Sequence, residues 1–161
     1  MKFTDGYWHV RQGLQVLYPV EVRDIETGQD EMTVYASTKK IVHKGDTLNT
    51  TLLTVRYSSP MENVICVEYI HHDGMDEKGP AFQIYKQPDL KVQVEKRGGA
   101  VTLTSGKLTA TVRPDEGWNV AYAYDGRRLT GTGYKGPAYI KSSESADVYM
   151  REQLDLGVGE Y

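Results

Sequence analysis

The sequence predicts an all-β protein, an antiparallel β-sandwich with few or no helices. Three observations predict it. Apolar and polar residues change places at every position in run after run. Short turn signals separate the runs, and no stretch carries the spacing of an amphipathic helix of three turns. Strict alternation puts one set of side chains on a core and the other in solvent, as a half-buried strand requires.

The runs come in order. Thr33–Ala36, Leu53–Tyr57 and Val64–Ile70 alternate and are rich in valine, threonine and tyrosine, residues that suit a pleated surface. Leu90–Glu95, Val101–Thr104 and Leu108–Arg113 repeat the pattern cleanly, and Trp118–Tyr124 does so less strictly. Val148–Leu154 is a last strand-like run. Punctuation falls at Thr27-Gly28, Lys44-Gly45-Asp46, Asp73-Gly74, Gly98-Gly99, Ser105-Gly106 and Asp125-Gly126. Asp125-Gly126 between two strand-like runs predicts a hairpin, because both residues tolerate positive φ. Connections this short favour an antiparallel sandwich over a βαβ fold. Met75–Gln87, with Gly79-Pro80 inside it and Pro88 after it, is the least regular stretch and predicts an exposed loop.

Composition bounds the function. A chain of 161 residues buries roughly 70% of its unfolded surface and needs no metal or disulfide to fold. Cys66 is the single cysteine, so no internal disulfide forms. Its place in Val64-Ile65-Cys66-Val67 predicts a buried, inert thiol, which fits a reducing, cytoplasmic setting. Met1–Gly6 does not resemble a signal peptide. No run approaches the ~20 apolar residues of a membrane span. Asn49-Thr50-Thr51 is a formal glycosylation sequon, of little weight without a secretory signal. Nineteen basic against 22 acidic residues give a net charge of -3, which argues against nucleic acid as a partner. The basic doublets Lys39-Lys40, Lys96-Arg97 and Arg127-Arg128 read as solvated edges or turns.

The chemistry-bearing residues select no site. His71-His72-Asp73 is the only histidine cluster, but neighbours in a strand point to opposite faces, and His9 and His43 are far away in sequence. Acid–base catalysis needs two carboxylates facing one cleft. Asp76-Glu77, Asp115-Glu116 and Glu152 are candidates, and none has a spacing that singles it out. Asp115-Glu116 follows Pro114 and precedes Gly117, which is turn chemistry. There is no Gly-x-Ser-x-Gly elbow, phosphate loop or dinucleotide fingerprint, and Gly157-Val158-Gly159 is too short for one. The expectation is therefore no catalytic, cofactor-binding or metal residue in this chain, and no cofactor. Trp8 and Trp118 sit in alternating runs and predict packing rather than ligand stacking. After Val148–Leu154 the sequence runs into the glycine-rich Asp155–Tyr161 without a closing element, which reads as a piece of a longer protein.

Four segments, in register from residue 5 to residue 160, resemble one family. Asp5-Gly6-Tyr7-Trp8 followed by Gly13-Leu14-Gln15-Val16-Leu17-Tyr18-Pro19 is similar to the opening of bacterial α-xylosidases of glycoside hydrolase family 31. Thr104–Val112 and Asp125–Gly131 resemble successive hairpins of the same domain. Arg151–Glu160 is similar to the segment just before the family's Tyr-Gly-Leu-Gly-Glu-type motif, which this chain lacks.

The resemblance implies that residues 1–161 are one amino-terminal β-sandwich related to galactose mutarotase folds, cut before a carboxy-terminal (β/α)8 barrel. In the family that barrel carries an aspartate nucleophile and an aspartate acid/base, which hydrolyse α-xylosides or α-glucosides with retention. Neither motif stands in this chain, so the resemblance carries over no catalytic residue, and it implies no cofactor. The implied partners are the barrel, which the sandwich supports and to whose cleft it lends a loop, and further copies in a homo-oligomer. No membrane partner is implied. The docking surface is expected to be more apolar than an ordinary surface. Two other readings stand beside this one: a freestanding carbohydrate-binding sandwich using exposed tyrosines, and a mutarotase-like enzyme, the latter on fold analogy alone.

Overall fold

A computed structural model describes residues 3–5, 9–70 and 85–155. The strands are β1 (Thr4–Asp5), β2 (His9–Val10), β3 (Leu14–Leu17), β4 (Glu21–Thr27), β5 (Met32–Ser37), β6 (Leu52–Ser58), β7 (Cys66–Ile70), β8 (Val92–Arg97), β9 (Ala100–Ser105), β10 (Leu108–Val112), β11 (Val120–Tyr124), β12 (Arg127–Thr132), β13 (Ala138–Ser142) and β14 (Val148–Arg151). Among the described residues the only helical elements are two short 3-10 turns, Lys44–Thr47 and Pro114–Glu116. No helix among them is long and apolar enough to cross a membrane.

Two antiparallel sheets form the sandwich. One has four strands in the order β4-β5-β6-β7, the other five in the order β12-β11-β10-β9-β8. A three-stranded sheet, β14-β13-β3, and the pair β1-β2 lie outside these two. The core joins the inward faces of the two large sheets. Met32, Val34 and Ala36 of β5 with Val55 and Tyr57 of β6 face Val101 and Leu103 of β9, Ala110 and Val112 of β10 and Val120 of β11, all within 1% of full burial. Trp118 joins this cluster at 4% exposed, so it packs as its alternating run predicts.

Turn chemistry sets the registers. Asp125 and Gly126 have φ of 51° and 78°, the paired positive values of the two-residue turn whose twist matches its flanking strands. Tyr124 consequently pairs with Arg127. At the neighbouring turn the sheets are clasped together. The Ser59 hydroxyl, 46 residues from Ser105 in sequence, lies 2.8 Å from the Ser105 hydroxyl and 2.7 Å from the Val64 carbonyl. Asn63 Oδ1 accepts from the Lys107 amide at 2.8 Å. The β6–β7 loop of one sheet is thus tied to the β9–β10 hairpin of the other. A Cβ at Gly106, where φ is +58°, would come within 2.6 Å of Asn63 Oδ1.

Several expectations need correction. The run at 64–70 becomes strand only from Cys66, that at 90–95 only from Val92, and that at 118–124 only from Val120. The last run stops at Arg151 rather than Leu154. Lys44-Gly45-Asp46 is a 3-10 turn and not a bare break, because Asp46 Oδ2 accepts from the Val42 and His43 amides at 2.9 and 3.0 Å and closes it. Cys66 is half-buried rather than buried, since it opens β7 at the sheet's edge. Strands β3, β4 and β13 were not predicted. In β4 the reason is a bulge: Val22 pairs with Ala36 and Asp24 with Tyr35, so Arg23 is an extra residue that breaks the alternation. His71, His72, Asp73-Gly74, Asp76-Glu77, most of the stretch 75–87, Trp8 and Gly157-Val158-Gly159 lie outside the described residues.

Candidate functional site

Two cavities flank the segment Glu152–Asp155 that follows β14. That segment is held against the edge strand β12. The Asp155 amide donates to the Gly131 carbonyl at 2.8 Å, the Thr130 hydroxyl donates to the Asp155 carbonyl, and Arg128 pairs with the Asp155 carboxylate at 3.3 Å. An otherwise open strand edge is thereby covered.

The first cavity is polar and aromatic. Strand β13 builds it. Its residue Tyr139 pairs with Leu17 and its residue Ala138 with Arg151, so Tyr18 and Arg151 arrive on either side of the start of β13. The buried prolines Pro19 and Pro137 fix the backbone there. Between β12 and β13 the chain turns through Gly133–Gly136, closed by a bond from the Gly136 amide to the Gly133 carbonyl at 2.9 Å. The Tyr18 and Tyr134 rings stand 6.2 Å apart at 49°. Lys135 Nζ sits 5.8 and 5.3 Å from their centroids, and the Arg151 guanidinium 5.7 Å from that of Tyr18. Arg151 Nη2 donates to the Lys135 carbonyl at 3.1 Å. The enclosed volume is about 290 Å³.

The second cavity is an apolar groove of about 580 Å³ at the open side of the sandwich. Edge strand β7 supplies Val67 and Tyr69, the facing sheet supplies Leu108, Tyr122 and Leu129, and the terminal segment supplies Glu152 and Leu154. Leu129 and Leu154 are 48% and 46% exposed. Among the described residues Glu152 is the one charged side chain in the lining. Desolvation by these apolar walls pushes its carboxyl up to about 7, opposed by a hydrogen bond from the Gln153 amide. Burial pushes the Tyr122 hydroxyl up to about 12, and burial also raises that of the neighbouring Tyr57.

Of the other carboxylates singled out in the sequence, only Asp115 and Glu116 lie among the described residues, and they do not meet Glu152. Asp115 and Glu116 belong to the 3-10 turn Pro114–Glu116, where Glu116 accepts from Asn119 Nδ2 at 2.9 Å and lies 3.9 Å from Arg113. His43 stands 3.5 Å from Asp46 on the surface, and His9 is exposed in β2. Among the described residues no three His, Cys, Asp or Glu side chains could hold a metal ion. Among the described residues Glu152 is the one carboxylate lining this groove, whereas retaining or inverting glycoside cleavage uses a pair. Sequence reasoning missed Tyr18, Tyr134, Lys135 and Arg151 as a group. The signal available was Gly133-Tyr134-Lys135-Gly136, a ring and a cation carried between two glycines.

Two curated proteins are similar to the chain over nearly its whole length. The α-xylosidase XylQ of Lactiplantibacillus pentosus is 34% identical over 160 residues, 99% of this chain. An α-xylosidase of Emericella nidulans is 28% identical over 179 residues, again 99% of this chain. The resemblance to α-xylosidases read from the four segments is thus borne out. The chain spans about a fifth of the length of these relatives, 21% and 23%. No protein-family model matches it.

Proposed function

We propose that this chain is a non-catalytic β-sandwich domain of a larger retaining α-glycosidase acting on α-xylosides or α-glucosides. The observation that carries the reading is the pair of α-xylosidase matches, which take in all but 1% of this chain and only about a fifth of each relative. On this reading residues 1–161 form one domain amino-terminal to a catalytic barrel of glycoside hydrolase family 31. The barrel holds both reacting carboxylates, and no cofactor takes part. The apolar groove is where the sandwich docks on the rest of the protein. Its half-exposed leucines are the composition of an interface core, with Glu152 the one group that a partner must leave protonated or hydrogen-bond. The companion readings are a cytoplasmic location and association of the whole protein into homo-oligomers.

The test is hydrolysis of p-nitrophenyl α-D-xyloside and α-D-glucoside, by this chain and by a polypeptide extended past Tyr161 through the parent reading frame. The chain alone is expected to release no nitrophenol, and the extended protein to turn over one of the two substrates. Hydrolysis by the chain alone would overturn the non-catalytic role. An extended protein without a barrel, or inert toward both substrates, would overturn the glycosidase assignment.

A further inference from the structure

The polar cavity between β3, the β12–β13 turn and β14 shares no described lining residue with the apolar groove. Its volume of about 290 Å³ stands at the lower bound of the roughly 300–1,000 Å³ typical of small-molecule sites, which suits one sugar-sized ring. The tilted rings of Tyr18 and Tyr134 offer apolar faces with polar tips. Gly133 and Gly136 contribute bare backbone to the wall.

The charges decide the class of ligand. Lys135 and Arg151 both line the cavity, and among the described residues neither has a carboxylate within ion-pair distance. The acidic residue at the rim, Asp155, is held by Arg128 at 3.3 Å. Two cations with no ion-pair partner among the described residues therefore meet at one spot of a chain whose net charge is -3. Ring contacts account for the position of Lys135. Arg151 Nη2 donates to the Lys135 carbonyl, which holds the guanidinium beside the Lys135 ammonium. A guanidinium fork next to an ammonium is best matched by an anionic oxygen.

We propose that this cavity binds a monosaccharide bearing one anionic group, a carboxylate or a phosphate. The ring lies against Tyr18 and Tyr134, and the anion accepts from Arg151 and Lys135. The inference stands on the cavity itself and does not depend on the glycosidase reading.

Calorimetric titration of the protein with glucuronate, glucose 6-phosphate, glucose, acetate and inorganic phosphate tests it. One anionic sugar should bind about tenfold or more tighter than both glucose and the corresponding free anion. Whichever of the two wins identifies the anion as carboxylate or phosphate. Lys135→Gln, at an exposed position, should weaken the anionic sugar roughly threefold and leave glucose unchanged. Tyr134→Ala, at a ring 74% exposed, should weaken every sugar and leave acetate and phosphate alone. Arg151→Gln should remove the preference for the anionic sugar. Equal affinity for glucose and both anionic sugars would overturn the proposal. So would free anions that match the sugars, no saturable binding of either anionic sugar at millimolar concentration, or unchanged affinities in the folded Lys135→Gln protein.

Discussion

Replacing Glu152 by glutamine should make the protein more stable in mild alkali and leave it unchanged at about pH 4.5 and below. An ordinary glutamate ionises near 4.5, whereas Glu152 does so at about 7 because the apolar groove desolvates it. The sign follows from where the proton sits. Between these two values the folded chain keeps its proton and the unfolded chain has lost it, so stability falls as pH rises through that window. Above the folded value the deficit is complete. At about 1.4 kcal/mol per pH unit the ceiling is about 3 kcal/mol. The side chain as a whole is exposed, so solvent screening reduces the expected effect to about 1 kcal/mol. Urea unfolding, followed by tryptophan fluorescence at several pH values, reads this directly. Glu152→Gln and the parent protein should coincide near about pH 4.5 and separate by about 1 kcal/mol by about pH 8, the variant being the more stable. A gap that stays constant with pH, or one that opens in favour of the parent, would refute the assignment of desolvation as the cause.

Other outcomes follow from the same structure. Leu103→Ala removes a side chain with no exposure from the centre of the sandwich, and should lower unfolding free energy by about 2–5 kcal/mol in urea titration. Two glycine-to-alanine changes should separate two mechanisms. Gly126→Ala meets open space at φ +78°, so its cost of about 1 kcal/mol is conformational alone. Gly131→Ala puts a Cβ 2.8 Å from the Val120 carbonyl and should cost about 1–3 kcal/mol by forcing β11 and β12 apart. Glu21 accepts from the Ile41 amide at 3.0 Å, which together with Arg23 and Ser37 holds its carboxyl below the usual value. Its contribution is therefore present above the unfolded pKa and lost as pH falls through the folded one, and Glu21→Gln should flatten the acid limb of the stability curve.

The legible part of the fold was the part with unbroken alternation. From Met32 to Ala36 every second side chain is buried, and only at the strand's last residue, Ser37, does the beat end. Glu21–Thr27 is just as much a strand, but its bulge at Arg23 moves the next core-facing residue from position 24 to Ile25, three residues after Val22. A period of two cannot register that shift. The hairpin at Asp125-Gly126 was readable because the backbone requirement is written in two adjacent residues. The cavities were not, for the opposite reason. Tyr18 and Arg151 are separated by most of the chain and meet only because β13 pairs with a strand from each end. Glu152 was noticed as a carboxylate, yet nothing around it in sequence shows the walls that β7, β11 and β12 place beside it.

The clasp between Ser59, Asn63 and the β9–β10 hairpin bears on how the groove meets whatever fills it. Ile65 and Leu108, each one or two residues from a clasped position, belong to the groove lining. One wall is thus locked to the other before any visitor arrives. The ordering cost of shaping that wall falls on folding, and association begins from a mould already set.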